Sequence, residues 1–342
     1  MPPTLEEVAK LAGVSRSTVS RVINDEPNVR AETRDRVRQA IRKSGYRPHA
    51  VARSLVTNRT QIIGMLIPET VTTLFTDPFF PLLLRGATEA CNAHHYQLML
   101  SLFTSRSAEQ DMYQRVLGNG YLDGAIVASA AADDPLIPSL LHDRIQLVSV
   151  GRYTDERVPY VDVDNVGGGR MAVEHLIRLG HRRIAVITGR LDMTHARDRL
   201  SGYKQALQTH RISFDESLVA EGDYSENSGR TAMRQLLEAK PSAVFVSSDS
   251  MAIGALKALH EVGLSVPEDM ALVGFDNIPL AAVMQPPLTT IRQPIERLGA
   301  LAVDVLISML QGPPDPGASA QRIVLPTELV IRQSCGALQE SP

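Results

Sequence analysis

The amino-acid sequence predicts an α/β chain in which a small all-α head precedes a doubly wound α/β body. Three observations predict it. The chain has 342 residues, beyond the roughly 250 to 300 at which one hydrophobic core stops growing, so several domains are expected. Residues 1 to 60 carry short amphipathic helical patterns around a tight-turn signal, whereas from Ile62 onward short β-rich apolar runs alternate with helical ones. Charge divides the chain in the same place: residues 1 to 60 hold twelve Lys or Arg against six acids, a surplus of +6, while the whole chain is at -3, which leaves -9 for the remainder.

In the head, Thr4 followed by Glu7 has capping-box spacing, and Leu5, Val8, Ala9 and Leu11 supply an apolar stripe, so a first helix is expected over about 5 to 12. Gly13 can take the left-handed conformation that ends it. Ser15 can then cap a second helix that buries Val19, Val22 and Ile23. The opposite face of this second helix presents Arg16, Ser17, Thr18, Ser20 and Arg21, side chains that can reach base edges or phosphates. The arrangement is a helix-turn-helix. A third helix over about 31 to 44 buries Val37, Ala40 and Ile41, and Tyr46 closes the small core. The surplus of positive charge implies a polyanionic partner, although a solvated basic face would have the same composition.

The run from Thr4 to Asn24, followed by Tyr46 to Leu55, resembles the lactose-repressor (LacI/GalR) family of bacterial transcription regulators. The resemblance implies that the helix after Ser15 enters the major groove of double-stranded operator DNA. Arg16 and Ser17 would then choose among bases and Arg21 would grip a guanine, with plain phosphate contact as the alternative. Thr4, Ser15, Thr18, Ser20 and Asn24 would position the head. Residues 48 to 56 would form a hinge helix with the strip Ala50, Val51, Ala52 and Leu55. A strip this short cannot fold alone, but paired in a homodimer it would let Ala52 and Leu55 reach the minor groove. A flexible linker is the other reading of the same residues. The expected domains are the head at 1–47, hinge and linker at 48–60, and an effector-binding and dimerisation body at 61–342.

In the body, near-continuous apolar runs at 62–67, 97–103, 124–129, 145–150, 184–189, 243–248 and 270–275 read as parallel strands buried on both faces. Roughly 280 residues exceed what one sheet accommodates. The family resemblance implies two doubly wound lobes, like those of periplasmic binding proteins, with a small-molecule effector between them. Ligands of open α/β sheets bind outside the carboxyl ends of the strands. Asp164, Asp249 and Asp276 each follow a strand there, and each could equally be a helix N-cap. Carboxylates and the guanidinium of Arg199 suit the hydroxyls of a sugar. Phe79 and Tyr224 open helices on the crevice side and could stack on it, with Phe80 the less favoured neighbour and a core role the alternative for either phenylalanine. The resemblance adds Arg199, Asp276 and Gln293 as effector contacts, and more weakly Arg152, Asp164 and Asp249. The expected function is a repressor of sugar-utilisation genes released by its effector. A corepressor, nucleobase or sugar phosphate is the alternative ligand.

An enzyme is not expected. Gly167, Gly168 and Gly169 lack the Lys-Ser/Thr of a phosphate-binding loop and fit close helix packing instead, while the nine histidines have no ligand spacing. Neither cofactor nor metal is implied. Cys91 and Cys335 lie too far apart to suggest a framework. The start of the chain lacks a signal pattern and no stretch is long enough for a membrane span, so a cytoplasmic protein is expected. Absence of leucine heptads near Pro342 favours a dimer over a tetramer.

Overall fold

The computed structural model describes residues 3–23, 26–46, 59–103, 120–128, 131, 134–312 and 320–337. The chain divides into two compact units, Met1–Thr60 and Gln61–Pro342.

In the first unit, α1 (Leu5–Ala12) starts at a reciprocal cap: the Thr4 backbone N–H donates to Glu7 Oε2 at 2.8 Å and the Glu7 N–H donates to Thr4 Oγ1 at 3.3 Å. It ends at Gly13, whose φ of 64° is left-handed. The buried stripe is Val8, Ala9 and Ala12, with Leu5 half-buried. Leu11, expected in that stripe, is 58% exposed. The 3.6-residue period explains this, because positions 5, 8, 9 and 12 share one face and 11 falls beside it. In α2 (Arg16–Ile23), Val19 and Val22 are buried against Val37 and Ala40 of α3 (Ala31–Ser44), with Val14, Ile41 and Tyr46 packed around them.

The second unit holds two six-stranded sheets. The first has strands β1 (Ile62–Thr70), β2 (Gln97–Phe103), β3 (Gly124–Ala128), β4 (Leu147–Val150), β5 (Tyr160–Val163) and β11 (Arg322–Leu325), in the spatial order β11-β5-β4-β3-β1-β2. The second has β6 (Ile184–Thr188), β7 (Val219–Glu221), β8 (Ala243–Val246), β9 (Ala271–Asp276), β10 (Thr289–Arg292) and β12 (Glu328–Val330), in the order β12-β10-β9-β8-β6-β7. Every pairing is parallel except β10 with β12. As expected for parallel sheets, β3, β4, β6, β8 and β9 are buried along their whole length.

Helices cover both faces of each sheet. In the first lobe α4 (Val71–Thr76) leads into α5 (Phe79–Ala93), which packs on one face together with α11 (Ile295–Gln311), while α6 (Leu136–His142) covers the other. In the second lobe α7 (Asn165–Arg178) and α8 (Thr194–Thr209) lie on one face, α9 (Glu226–Leu236) and α10 (Asp249–Glu261) on the other. The chain passes between lobes three times, from β5 to α7, from β10 to α11 and from β11 to β12. The short strands β7, β10, β11 and β12 carry no extended apolar run of their own, and the sequence pattern did not announce them.

The glycine run on α7 is packing, as its spacing implies. A Cβ on Gly169 would lie 2.5 Å from the Arg199 carbonyl oxygen, and one on Gly202 would lie 2.2 Å from that of Val166. Only glycine lets α7 and α8 approach so closely, and the approach seats Arg199 of α8 beside the first turn of α7.

Candidate effector cleft and DNA-reading face

The carboxyl ends of the strands in both lobes converge on a cavity of about 70 Å³. From the first lobe, Asp77, Phe79 and Phe80 reach it from the start of α5, Gly151 from the end of β4 and Asp162 from β5. The second lobe contributes Asn165 at the start of α7, His195 and Arg199 from α8, Tyr224 after β7, Asp276 at the end of β9 and Gln293 after β10.

A connected set of hydrogen bonds forms the cavity floor. Arg199 is 5% exposed. Its Nε donates to Asn165 Oδ1 at 2.9 Å and its Nη1 to the Ser247 carbonyl at 2.6 Å, while the guanidinium lies 3.7 Å from the Phe275 ring centre. Nη1 also stands 3.7 Å from Asp276 Oδ1, which accepts from Gln293 Nε2 at 2.5 Å. On the other side Asn165 Nδ2 donates to Asp162 Oδ1 at 3.0 Å, and Asp162 Oδ2 accepts the Arg152 backbone N–H at 3.1 Å. Both lobes are therefore tied to one polar layer. Asp276 and Asn277 have φ of 118° and 59°, left-handed values that side chains other than glycine rarely adopt, so the surrounding bonds hold them in a strained turn.

Burial dominates the protonation of this layer. It pushes the carboxyls of Asp77, Asp162 and Asp276 above the usual range, with Arg199 acting in the opposite direction on all three. Burial also drives His195 down to about 3, so its imidazole is neutral. The Tyr224 hydroxyl is pushed up and finds no hydrogen-bond partner among the described residues.

Five of the effector candidates named from the sequence line this cavity: Phe79, Arg199, Tyr224, Asp276 and Gln293. Phe80 lines it as well, buried and edge-on to Phe79 with ring centres 5.4 Å apart. Three candidates stand elsewhere. Asp164 caps α7, its Oδ1 accepting from the Gly167 N–H at 2.7 Å. Asp249 lies fully buried behind Asp276, where it accepts from Thr290 Oγ1 at 2.6 Å and the Ile278 N–H at 2.9 Å. The cap of α10 is Ser248 instead. Burial raises the Asp249 carboxyl to about 7. Arg152 grips both oxygens of Asp198 on the opposite lobe, at 2.6 and 2.7 Å. Asp77, Asp162 and His195 join the cavity without having been singled out. His195 could have been found from its position one helical turn before Arg199 on α8.

In the head, Arg16, Ser17 and Arg21 are exposed on α2, and Thr4 and Ser15 are exposed at helix starts, while Thr18 and Ser20 are half-buried. Ser15 caps α2, its Oγ accepting from the Thr18 N–H at 3.2 Å. Arg16 meets Glu6 at 3.0 Å and Arg21 stands 3.7 Å from Glu26. Such exposed pairs contribute little and yield readily to phosphates. Asn24, Ala52 and Leu55, with the whole expected hinge helix, lie outside the described residues.

Residues 4–49 match the profile of "Bacterial regulatory proteins, lacI family", and residues 173–335 that of the "Periplasmic binding protein-like domain". The HTH-type transcriptional regulator CelR of Thermobifida fusca is 41% identical over 97% of this chain and 98% of its own length. The ribose operon repressor of Escherichia coli K12 is 37% identical over 97% and 99%. Among solved structures, a lac repressor dimer bound to operator and the anti-inducer ONPF has a TM-score of 0.83 at 29% identity, covering 98% of this chain and 99% of that one. A complex of CelR with cellobiose has a TM-score of 0.77 at 38% identity, covering 97% and 99%. The two profiles, the full-length relatives and the paired sheets agree: this chain belongs to the lacI family of bacterial regulatory proteins.

Proposed function

We propose that this regulator is a sugar-responsive repressor that works in the cytoplasm as a homodimer. Its heads, residues 1–47, read the two halves of a palindromic operator; residues 48–60 link them to the body at 61–342, which senses the effector. The single observation that carries the reading is the floor of the cleft. Arg199, Asp276, Asn165 and Gln293 of the second lobe and Asp162 of the first present fixed donors and acceptors beside the rings of Phe79 and Phe80, which matches the hydroxyl-bearing edge and the C–H face of a sugar. A ligand held by both lobes favours the closed cleft. If the DNA-bound dimer favours another lobe arrangement, effector binding releases the operator by that difference in affinity.

Selection from random DNA duplexes tests this. A symmetric site with half-sites about 10 bp apart, or a multiple of that, is expected for a two-fold dimer. Arg21→Ala should lose about 1 to 3 kcal/mol and relax one base preference. An equal loss on all duplexes would reduce Arg21 to a phosphate contact, and recovery of asymmetric sites alone would overturn the dimeric reading.

A further inference from the structure

The turn that presents Asp276 to the cleft does not hold its shape unaided. We infer, resting on the sugar-sensor reading in which Asp276 contacts the effector, that Arg332 is a positioning residue for the cleft. It lies outside the cavity lining and staples shut the loop at whose start Asp276 stands.

Backbone strain sets the requirement. Asp276 and Asn277 follow one another with φ of 118° and 59°, and such conformations persist in residues other than glycine only where the surroundings over-determine them. Part of the restraint comes from Asp249, which accepts the backbone N–H groups of Asn277 and Ile278, the latter at 2.9 Å. That leaves the Asn277 side chain and the far end of the loop between β9 and β10 to be fixed. Arg332 does both. Its Nη2 donates to Asn277 Oδ1 at 2.7 Å and its Nη1 to the Leu288 carbonyl at 2.7 Å. Asn277 opens the loop and Leu288 closes it, directly before β10. One planar guanidinium with two forked donors therefore ties the ends of the loop together, a task that a single ammonium meets only in part.

Arg332 is itself anchored to the two strands concerned. Its backbone N–H donates to Thr289 Oγ1 at 2.8 Å, at the start of β10. Two residues on, Ser334 Oγ accepts the Thr289 N–H at 2.8 Å and donates to the Leu272 carbonyl of β9 at 2.6 Å. The half-buried Arg332 side chain thus leaves a backbone pinned to both strands and reaches the turn from a fixed origin. Its charge and that of Asp249 also attract one another across the same loop. The neighbouring Arg292 is paired with Glu328 instead. Loss of Arg332 should free the Asn277 side chain, let the turn relax and withdraw the Asp276 carboxylate from Gln293 and from the ligand.

The test combines calorimetric titration of the full chain with D-ribose, D-glucose and cellobiose with ligand-free crystal structures. The proteins are wild type, Arg332→Met, Arg332→Lys, Asn277→Ala and the double variant Arg332→Met with Asn277→Ala, each checked for a wild-type-like circular dichroism spectrum. Whichever of the three sugars binds wild type should bind Arg332→Met about tenfold more weakly, the order expected when a buried hydrogen bond to a charged group is lost. Arg332→Lys should recover part of that loss. Because Arg332 and Asn277 are the two ends of one bond, the double variant should bind no more weakly than the weaker single variant. In the crystal of Arg332→Met, Asp276 should lose its hydrogen bond to Gln293. Wild-type affinity in Arg332→Met, additive losses in the double variant, or a turn superimposable on that of wild type would each overturn the inference. If Arg332→Met does not fold, Asn277→Ala removes the same bond with the guanidinium in place, and wild-type affinity there overturns it equally. If none of the sugars binds wild type, it is the sugar reading that loses its support; the crystal structures then decide on Arg332 by themselves, with a displaced Asp276 in its favour and an unchanged turn against it.

Discussion

Replacing Arg199 by methionine keeps most of the side-chain volume and deletes the one cation that lines the cavity among the described residues. Three carboxyls that burial already pushes upward, those of Asp77, Asp162 and Asp276, lose the charge that opposes the shift. Asn165 Oδ1 and the Ser247 carbonyl also lose their donor. Removing one partner from a buried ionic cluster costs about 3 to 5 kcal/mol. At about 2 °C for each kcal/mol in a unit of this size, the melting temperature should fall by roughly 6 to 10 °C at pH 8. The pH dependence carries the sign. A carboxyl whose folded pKa is raised binds more protons folded than unfolded, so it destabilises as pH rises through that pKa, and the destabilisation vanishes where the carboxyl is neutral in both states. Loss of Arg199 raises these carboxyls further, so the deficit against wild type should shrink from pH 8 to pH 5.5. Arg199→Lys keeps the charge but not the two-sided fork and should fall between the two. Thermal melts of the three proteins at both pH values decide it. A drop below 2 °C, or a deficit identical at both pH values, would refute the view that Arg199 compensates buried charge.

Asp249 offers a second pH signature. Its carboxyl is raised to about 7 by burial, so in wild type its contribution worsens as pH climbs through 7, and Asp249→Asn should gain in melting temperature relative to wild type between pH 6 and pH 8. A constant difference across that range would count against it. The pair Arg152 and Asp198 joins the two lobes with side chains 47% and 18% exposed, a geometry worth about 0.5 to 1 kcal/mol. Arg152→Ala should therefore weaken effector binding roughly two- to fivefold in a calorimetric titration, and adding Asp198→Ala should weaken it no further. Additive losses in the double variant would show that the two act separately.

What the sequence determined alone is local. Thr4 and Glu7, Gly13, and the apolar spacing of Val8, Ala9, Val19, Val22 and Val37 specify the head, because capping bonds close within three residues and a 3.6-residue period repeats within two turns. The long buried strands were legible for the same reason. The effector candidates were a harder matter, since three aspartates in one sequence context, each after a strand and before a helix, met three fates. Asp164 caps α7, Asp249 braces the turn from behind, and Asp276 faces the cavity. Only the tertiary structure separates them, because the direction of each carboxyl depends on which helix packs over its strand end. The same holds for Arg152, whose partner Asp198 lies on the other lobe, and for Asp77 and His195, which meet only because the chain crosses between its two sheets three times. A short-range hydrogen bond leaves its mark on neighbouring positions, whereas a cavity exists only where distant strand ends are folded face to face.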